Sequence, residues 1–185
     1  MIQGLPTELE VNGRMEPIRW EYTAVLDIIA AMNDPELEDD EKTYVSLWIL
    51  YENFDHFRSD DYEPAFDALL EFMNNGVSEQ TSNTVQTVDF EQDYNLLIPA
   101  INKVAVKEIR NCDDIHWWTF LSWFMEIGEC TYSTVLTIRS KRKKGKQLEK
   151  WEQEFYEANR DMVDIRRRLT EAEKEKERWL NSLLD

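Results

Sequence analysis

Two cysteines and two histidines are the side chains in this sequence that most readily suggest metal binding or nucleophilic catalysis. Cys112 and His116 lie four residues apart, and Cys130 follows further along the chain. A zinc site would need a fourth ligand, for which only His56 is left among the usual nitrogen and sulfur donors. A nucleophilic cysteine would need a base and a third group that orients it, and no such motif is recognisable. We therefore predict neither a metal site nor a catalytic site.

The acidic and glycine-containing segments give no further support for catalysis. Acidic residues cluster at 36–41, but this segment lacks the glycine and the spaced oxygen ligands of a calcium loop, so it is interpreted as a solvated helix start. The five glycines form no phosphate-binding loop. We expect no enzymatic activity and no bound cofactor.

Charge divides the chain into two parts. Residues 1–138 contain 27 acidic and 7 basic residues, a net charge of −20, whereas residues 139–185 contain 11 and 14, a net charge of +3. The boundary is the basic run at 139–146. The overall charge of −17 opposes binding to nucleic acid or to an anionic membrane over most of the surface. The basic region 139–168 nevertheless leaves an alternative open, a DNA-associated accessory or regulatory protein.

Length and composition predict one folded domain with an appendage. The chain has 185 residues, of which 42% are hydrophobic and 12% aromatic. No apolar run approaches the roughly twenty residues of a membrane-spanning helix. The N-terminus lacks the basic and then apolar pattern of a signal peptide, and two cysteines suit a reducing compartment. We expect an intracellular protein without membrane contact.

The N-terminal part has the pattern of a helical domain preceded by a hairpin. Asn12-Gly13 between two short segments predicts a tight turn and a β-hairpin at about 8–19. Three stretches of helical periodicity follow, beginning near residues 20, 39 and 60. The order of these patterns predicts a small hairpin packed on a helical body.

The next segment combines a loop with two further helices. Residues 77–88 have no helical stripe and predict an exposed loop. Asp89 to Gln92 resembles a capping box that opens a helix, which Pro99 should kink or shorten. Residues 131–138 contain several β-branched side chains, but the spacing of Tyr132, Val135, Leu136 and Arg139 favours a helix face.

A tryptophan-rich stretch at about 114–127 predicts the central core helix. On a helix its apolar side chains point nearly all round and leave one narrow polar stripe, so we expect other elements to enclose it. Asp113 or Asp114 would cap its first amides, and Gly128 would end it. The predicted structural core residues of this helix are Trp117, Trp118, Phe120 and Phe124.

The last part of the chain has the clearest periodicity, because apolar residues recur in alternating steps of three and four from Leu148 onward. This pattern predicts a heptad-patterned helix over 147–184, about 55 Å long at roughly 1.5 Å per residue, joined to the domain by a basic hinge at 139–146. A narrow seam of this kind requires a partner helix, from another protein or from a second copy of the chain. The predicted partner-facing residues are Leu148, Trp151, Phe155, Met162, Ile165 and Leu169.

Several short motifs occur in an order that resembles one bacteriophage family. They are Leu5-Pro6, Asn12-Gly13, Leu37-Glu38-Asp39-Asp40-Glu41-Lys42, Asp89-Phe90-Glu91-Gln92-Asp93, His116-Trp117-Trp118-Thr119-Phe120 and Ile138-Arg139. Over about residues 5–150 the chain resembles the gene-product-fifteen family of long-tailed (siphovirus-type) phages of Gram-positive bacteria, which belongs with the tail assembly chaperones. Pro99 and the segment 104–108 depart from the family pattern.

The resemblance implies a non-enzymatic function in the host bacterial cytoplasm during phage assembly. Proteins of this type bind the tape-measure protein, keep that long helical chain soluble and help recruit tail-tube subunits, and they are absent from the mature virion. The tape-measure protein and the major tail-tube protein are therefore the implied partners, with self-association through the C-terminal seam as a competing possibility.

For the fold, we predict a mainly α protein with a small N-terminal β-hairpin and a long C-terminal helix. The expected divisions are an acidic helical chaperone domain at 1–138, a basic hinge at 139–146 and the heptad-patterned helix at 147–184.

Overall fold

The computed structural model describes residues 4–75 and 87–182. Within these ranges the chain forms two strands and nine α-helices. Their bounds are β1 Glu8–Val11, β2 Arg14–Pro17, α1 Tyr22–Met32, α2 Asp39–Leu50, α3 Ser59–Met73, α4 Tyr94–Ala105, α5 Trp117–Met125, α6 Thr131–Lys143, α7 Lys150–Ala158, α8 Arg160–Val163 and α9 Glu171–Asn181. The predicted fold class, mainly α with an N-terminal hairpin and a C-terminal helix, is confirmed. Most of the predicted loop at 77–88 lies outside the described residues.

The N-terminal hairpin has the geometry that its turn residues predict. β1 and β2 pair antiparallel, with Val11 opposite Arg14. Asn12 and Gly13 both have positive φ, at 49° and 79°, which is the backbone of a two-residue turn that matches the twist of the strands. The Asn12 side-chain amide donates a 2.8 Å hydrogen bond to the Asp61 carboxylate, so the turn is fastened to α3.

The main core lies among the first five helices, each of which buries one apolar face. α1 packs against α2 and α5, α2 against α3, and α4 against α5. Buried tyrosines find polar partners within this core: the Tyr22 hydroxyl donates to the Ile109 carbonyl at 3.2 Å, and the Tyr51 hydroxyl donates to the Ala65 carbonyl at 2.9 Å. The fully buried apolar residues include Val25, Ile28, Leu47, Leu50, Leu69, Leu97, Ile101 and Phe120.

The tryptophan-rich helix α5 is half-buried, so the expectation that other elements enclose it is wrong. Trp117 and Phe120 are buried, and Trp118 and Phe124 are partly buried against the main core. Met125 is 78% exposed. The physical reason is that the main core lies on one side of this helix, so its other apolar side chains remain partly in water.

Two local predictions around α4 need correction. The Asp89 carboxylate does accept hydrogen bonds from the amides of Glu91 and Gln92, but residues 90–93 form a turn and α4 begins only at Tyr94. Of the two effects predicted for Pro99, a kink or a shortened helix, the shortening is wrong, because α4 continues through Pro99 to Ala105. The prediction that residues 131–138 are helical is confirmed by α6.

The C-terminal region is helical but interrupted, and the prediction of one continuous helix over 147–184 is wrong. It consists of α7, the single turn α8, a non-helical segment at 164–169 and α9. Asn159, with φ −133°, separates the first two, and the Thr170 hydroxyl caps α9 by accepting a hydrogen bond from the Glu173 amide. Residues 139–143 of the predicted hinge belong to α6, and the chain turns just after them at Gly145, which has φ 64°.

Candidate partner-binding surfaces

The predicted partner-facing residues do not lie on one continuous stripe. Leu148, Phe155 and Met162 are partly buried against a small cluster of Val135 and Ile138 from α6 and Val163 from α8. These three residues therefore already pack against an apolar surface of the same chain, on α6. The three remaining residues of the predicted seam are Trp151, Ile165 and Leu169.

Trp151 is the most accessible of these three. Its side chain is 52% exposed on α7, and its indole N–H donates a 2.9 Å hydrogen bond to the Glu149 carboxylate. Ile165 and Leu169 are partly exposed in the non-helical segment between α8 and α9. Leu169 also lines a cleft of about 820 Å³ between this segment, the start of α4 and the α1–α2 connection. Trp151 is thus the most exposed of the predicted partner-facing residues.

Arg139 holds the C-terminal region onto the domain. The sequence placed this residue at the start of a basic hinge, but its side chain is only 3% exposed. The guanidinium forms a two-pronged ion pair with Asp93, with Nη1 and Nη2 donating to the two carboxylate oxygens at 2.6 and 2.8 Å. It also donates to three backbone carbonyls, those of Thr87, Met162 and Val163, at 3.0, 3.0 and 2.6 Å.

The Arg139 contacts fully use the hydrogen-bonding capacity of a guanidinium, which has five N–H donors. Asp93 is 1% exposed, and its carboxylate also accepts a 3.1 Å hydrogen bond from the Asp89 amide. One buried pair thereby joins α6, the start of α4 and the end of α8. The sequence signal for this site was the helical spacing of Arg139 with the buried residues Tyr132 and Val135.

Most of the neighbouring cations are also paired within the chain. Lys141 donates to both oxygens of the buried Glu152 carboxylate at 2.6 and 2.7 Å, and this hydrogen-bonded ion pair lowers the Glu152 pKa. Arg142 contacts Asp164 and lies over the Tyr156 ring at 4.0 Å. Further pairs are Arg167 with Glu173 and Arg168 with Asp89 and Glu91. This pairing leaves less positive charge available to DNA than the basic run suggests.

The tryptophan indoles of α5 have a structural role at the end of α3. Trp117 Nε1 donates to the Met73 carbonyl at 2.9 Å, and Trp118 Nε1 donates to the Phe72 carbonyl at 2.8 Å. Carbonyls in the last turn of a helix lack intrahelical partners, and the Trp117 indole supplies one for the Met73 carbonyl. The Phe72 carbonyl also accepts a 3.2 Å hydrogen bond from the Asn75 amide, so the Trp118 indole is a second donor to it. The structure therefore explains Trp117 and Trp118 by their contacts with the end of α3.

His116 caps α5, where the sequence indicated Asp113 or Asp114. Its Nδ1 accepts a 3.0 Å hydrogen bond from the Trp118 amide, while its Nε2 lies 2.8 Å from the Pro6 carbonyl and acts as the donor. The neutral ring protonated on Nε2 satisfies both contacts. Burial lowers the His116 pKa below its ordinary value of 6.5.

Cys112, Cys130 and His116, which the sequence offered for chemistry, have separate structural roles. The Cys112 thiol donates to the Glu108 carbonyl at 3.2 Å, and Cys130 accepts at 3.5 Å from the Ser133 amide at the start of α6. Among residues 4–75 and 87–182, no group of three or more His, Cys, Asp or Glu side chains is arranged to hold a metal ion. Within the same ranges, no helix is long and apolar enough to cross a membrane.

The fold and its contacts describe a mainly α protein whose basic C-terminal region is held to an acidic helical body by ion pairs and apolar packing. The model of the bacteriophage Gp15 protein family matches residues 1–165, and the chain therefore belongs to this family. The resemblance seen in the sequence motifs is thus confirmed at the level of the family and of bacteriophage origin. The match ends before α9 begins. No curated protein and no solved structure matches the chain.

Proposed function

We propose that this protein is a tail assembly chaperone that binds the phage tape-measure protein, keeps it soluble and helps recruit tail-tube subunits. The observation that carries the proposal is membership of the bacteriophage Gp15 protein family over residues 1–165. The chaperone acts in the host bacterial cytoplasm during assembly and is absent from the mature virion. Its action is binding without covalent chemistry, so the proposed protein is not an enzyme.

The charge distribution supports this proposal physically. A long helical client with apolar faces would aggregate on its own, because large exposed apolar patches associate in water. A bound protein whose first 138 residues carry a net charge of −20 would keep the complex soluble through like-charge repulsion between complexes.

The packing of the C-terminal region supports a narrower proposal about which of its residues contact the client. Leu148, Phe155 and Met162 pack onto α6 of the same chain. We therefore propose the exposed Trp151 as the main client contact within this region, and we assign the packed residues to holding α7 in place. Ile165 and Leu169 remain proposed contacts because they are partly exposed. Self-association through the same residues is the competing proposal.

Co-expression with the tape-measure protein tests the function and this assignment together. The native chain should keep the client in the soluble fraction, and Trp151→Asp should reduce that fraction. Gln153→Asp is the matched control because it adds the same charge at another exposed position of α7. An insoluble client in the presence of the native chain would refute the chaperone function. If Trp151→Asp behaved like Gln153→Asp, the contact assignment alone would be wrong.

A further inference from the structure

The outer face of α2 presents two large aromatic side chains to solvent. Tyr44 and Trp48 are four residues apart, so they lie one above the other on the helix. Their side chains are 50% and 58% exposed. Leu47 and Leu50 on the inner face are completely buried, so the packing of α2 in the main core does not account for the exposed pair.

The exposed aromatic pair is held on a well-supported element. The Tyr44 ring packs edge-on against Phe54 at 5.1 Å between centroids, and it also contacts Tyr62 of α3 at 6.3 Å. Arg19 Nη1 donates to the carbonyls of Trp48 and Ile49 at 3.2 and 2.7 Å, which satisfies acceptors at the end of α2. Because its ring is already packed, Tyr44 loses little conformational entropy when a partner binds.

Acidic residues accompany the aromatic pair. Asp40 and Glu41 lie one turn before Tyr44 on the same helix, and both are exposed. Together with Tyr44 and Trp48 they define what we call the α2 face. This face belongs to the part of the chain that carries a net charge of −20, so it should repel an acidic partner and attract a basic one.

We propose that the α2 face docks a basic amphipathic helix of the tape-measure protein. Apolar side chains of that helix would cover the rings of Tyr44 and Trp48. Lysine or arginine side chains beside its apolar stripe would pair with Asp40 and Glu41 and contact the aromatic rings as cations. This inference rests on the proposed chaperone function for the identity of the client, whereas the chemistry of the partner follows from the face itself.

The first experiment measures the chemistry of the partner directly. Two labelled amphipathic peptides with the same leucine stripe are compared by fluorescence anisotropy, one with lysine and one with glutamate on its polar face. The lysine peptide should bind the native chain, and Trp48→Ala should weaken this binding about thirtyfold, the effect of truncating an aromatic hot spot. Trp179→Ala is the matched control, since Trp179 is 61% exposed on α9. Equal binding by the two variants, or equal binding of the two peptides, would overturn the proposal.

The second experiment separates this inference from the chaperone function. Trp48→Ala and Trp179→Ala are each co-expressed with the tape-measure protein, after circular dichroism has shown that both fold like the native chain. A soluble client with the native chain and a largely insoluble one with Trp48→Ala supports docking on the α2 face. A client that is equally soluble with both variants refutes the docking surface and leaves the chaperone function intact. A client that is insoluble even with the native chain refutes the chaperone function.

Sedimentation of the native chain and of Trp48→Ala addresses the other occupant, a second copy of this protein. The proposal expects the same mass for both proteins in the absence of client. If the native chain is an oligomer that Trp48→Ala dissociates, the α2 face is an interface between copies and the proposed occupant is wrong.

Discussion

Replacing Arg139 with methionine should destabilise the fold strongly, although the residue belongs to a basic run typical of a protein surface. The substitution keeps an unbranched side chain but removes the charge and all five hydrogen bonds of the guanidinium. The Asp93 carboxylate, which is 1% exposed, would remain buried without a cation. The expected consequence is loosening of the junction among α6, the start of α4 and the end of α8.

The size of the effect follows from the burial of both partners. Removing one member of a buried ion pair costs about 3–5 kcal/mol, because the remaining charge is left uncompensated. That cost is a large fraction of a total stability of about 5–15 kcal/mol. For a chain of this size each kcal/mol corresponds to roughly 2–4 °C in melting temperature, so the midpoint should fall by about 6–20 °C.

Urea denaturation followed by circular dichroism measures this loss. Arg167→Met is the matched control: Arg167 also pairs with a carboxylate, that of Glu173 at 2.7 Å, but its side chain is 77% exposed. The control should cost less than about 1 kcal/mol, as exposed ion pairs do. The double variant Arg139→Met/Asp93→Asn should be more stable than Arg139→Met alone, because the buried carboxylate is then neutral. If Arg139→Met cost no more than Arg167→Met, the assignment of a buried clamp would be refuted.

Three further predictions test the packing and the titrating groups. Phe155→Ala should lower the free energy of unfolding by about 1–3 kcal/mol, because it removes the packing of Phe155 against α6. Trp151→Ala should lower it by less than about 1 kcal/mol, because Trp151 is exposed. Urea denaturation compares the two variants, and equal losses would contradict the packing of Phe155. Hydrogen bonds from the Arg58 amide, Asn12 and Arg14 lower the Asp61 pKa to about 2. The ionised Asp61 therefore stabilises the fold above about pH 4, and this stabilisation is lost as the pH falls towards 2. The Asp61→Asn variant should lack this pH dependence of stability in acid unfolding. Burial lowers the His116 pKa, so the unfolded chain binds a proton at this residue more readily than the folded protein, and the free energy of unfolding should fall as the pH drops below about 6.5. In His116→Gln, the free energy of unfolding measured between about pH 5 and 7 should depend less on pH.

The sequence predicted correctly those strands, helices and turns that depend on residues close together in the chain. Asn12-Gly13 specifies the hairpin because both residues tolerate the positive φ that its turn requires. Proline usually breaks a helix, but tertiary packing outweighs this tendency at Pro99. Pro99 cannot donate a hydrogen bond to the Asn95 carbonyl, but Asn95 is exposed, so water can bond this carbonyl instead. On either side, Ile98 and Ala100 are buried, and their packing keeps the helix continuous.

The contacts that sequence reasoning missed join distant parts of the chain. Arg139 has helical spacing with buried residues of α6, yet its partner Asp93 is 46 positions away, so no local pattern identifies the pair. His116 caps α5 through a ring whose second nitrogen bonds Pro6, 110 positions away. An aspartate was the reasonable local expectation for this cap, since the histidine is supported by tertiary contacts with Pro6 and with the Trp20 ring that no local pattern reveals.

In the C-terminal seam, the spacing of the apolar residues predicts that one helix face is buried, but it does not identify the surface that buries it. The heptad spacing is compatible with packing against a helix of another protein or against α6. Because the chain turns at Gly145, α6 lies beside the seam and contacts Leu148, Phe155 and Met162. Intramolecular packing avoids the entropy cost of association, so it outcompetes a free partner unless that partner offers a much better surface. For the proposed client, the exposed Trp151 on α7 and Trp48 on α2 are therefore better candidate contacts than the seam residues that pack on α6.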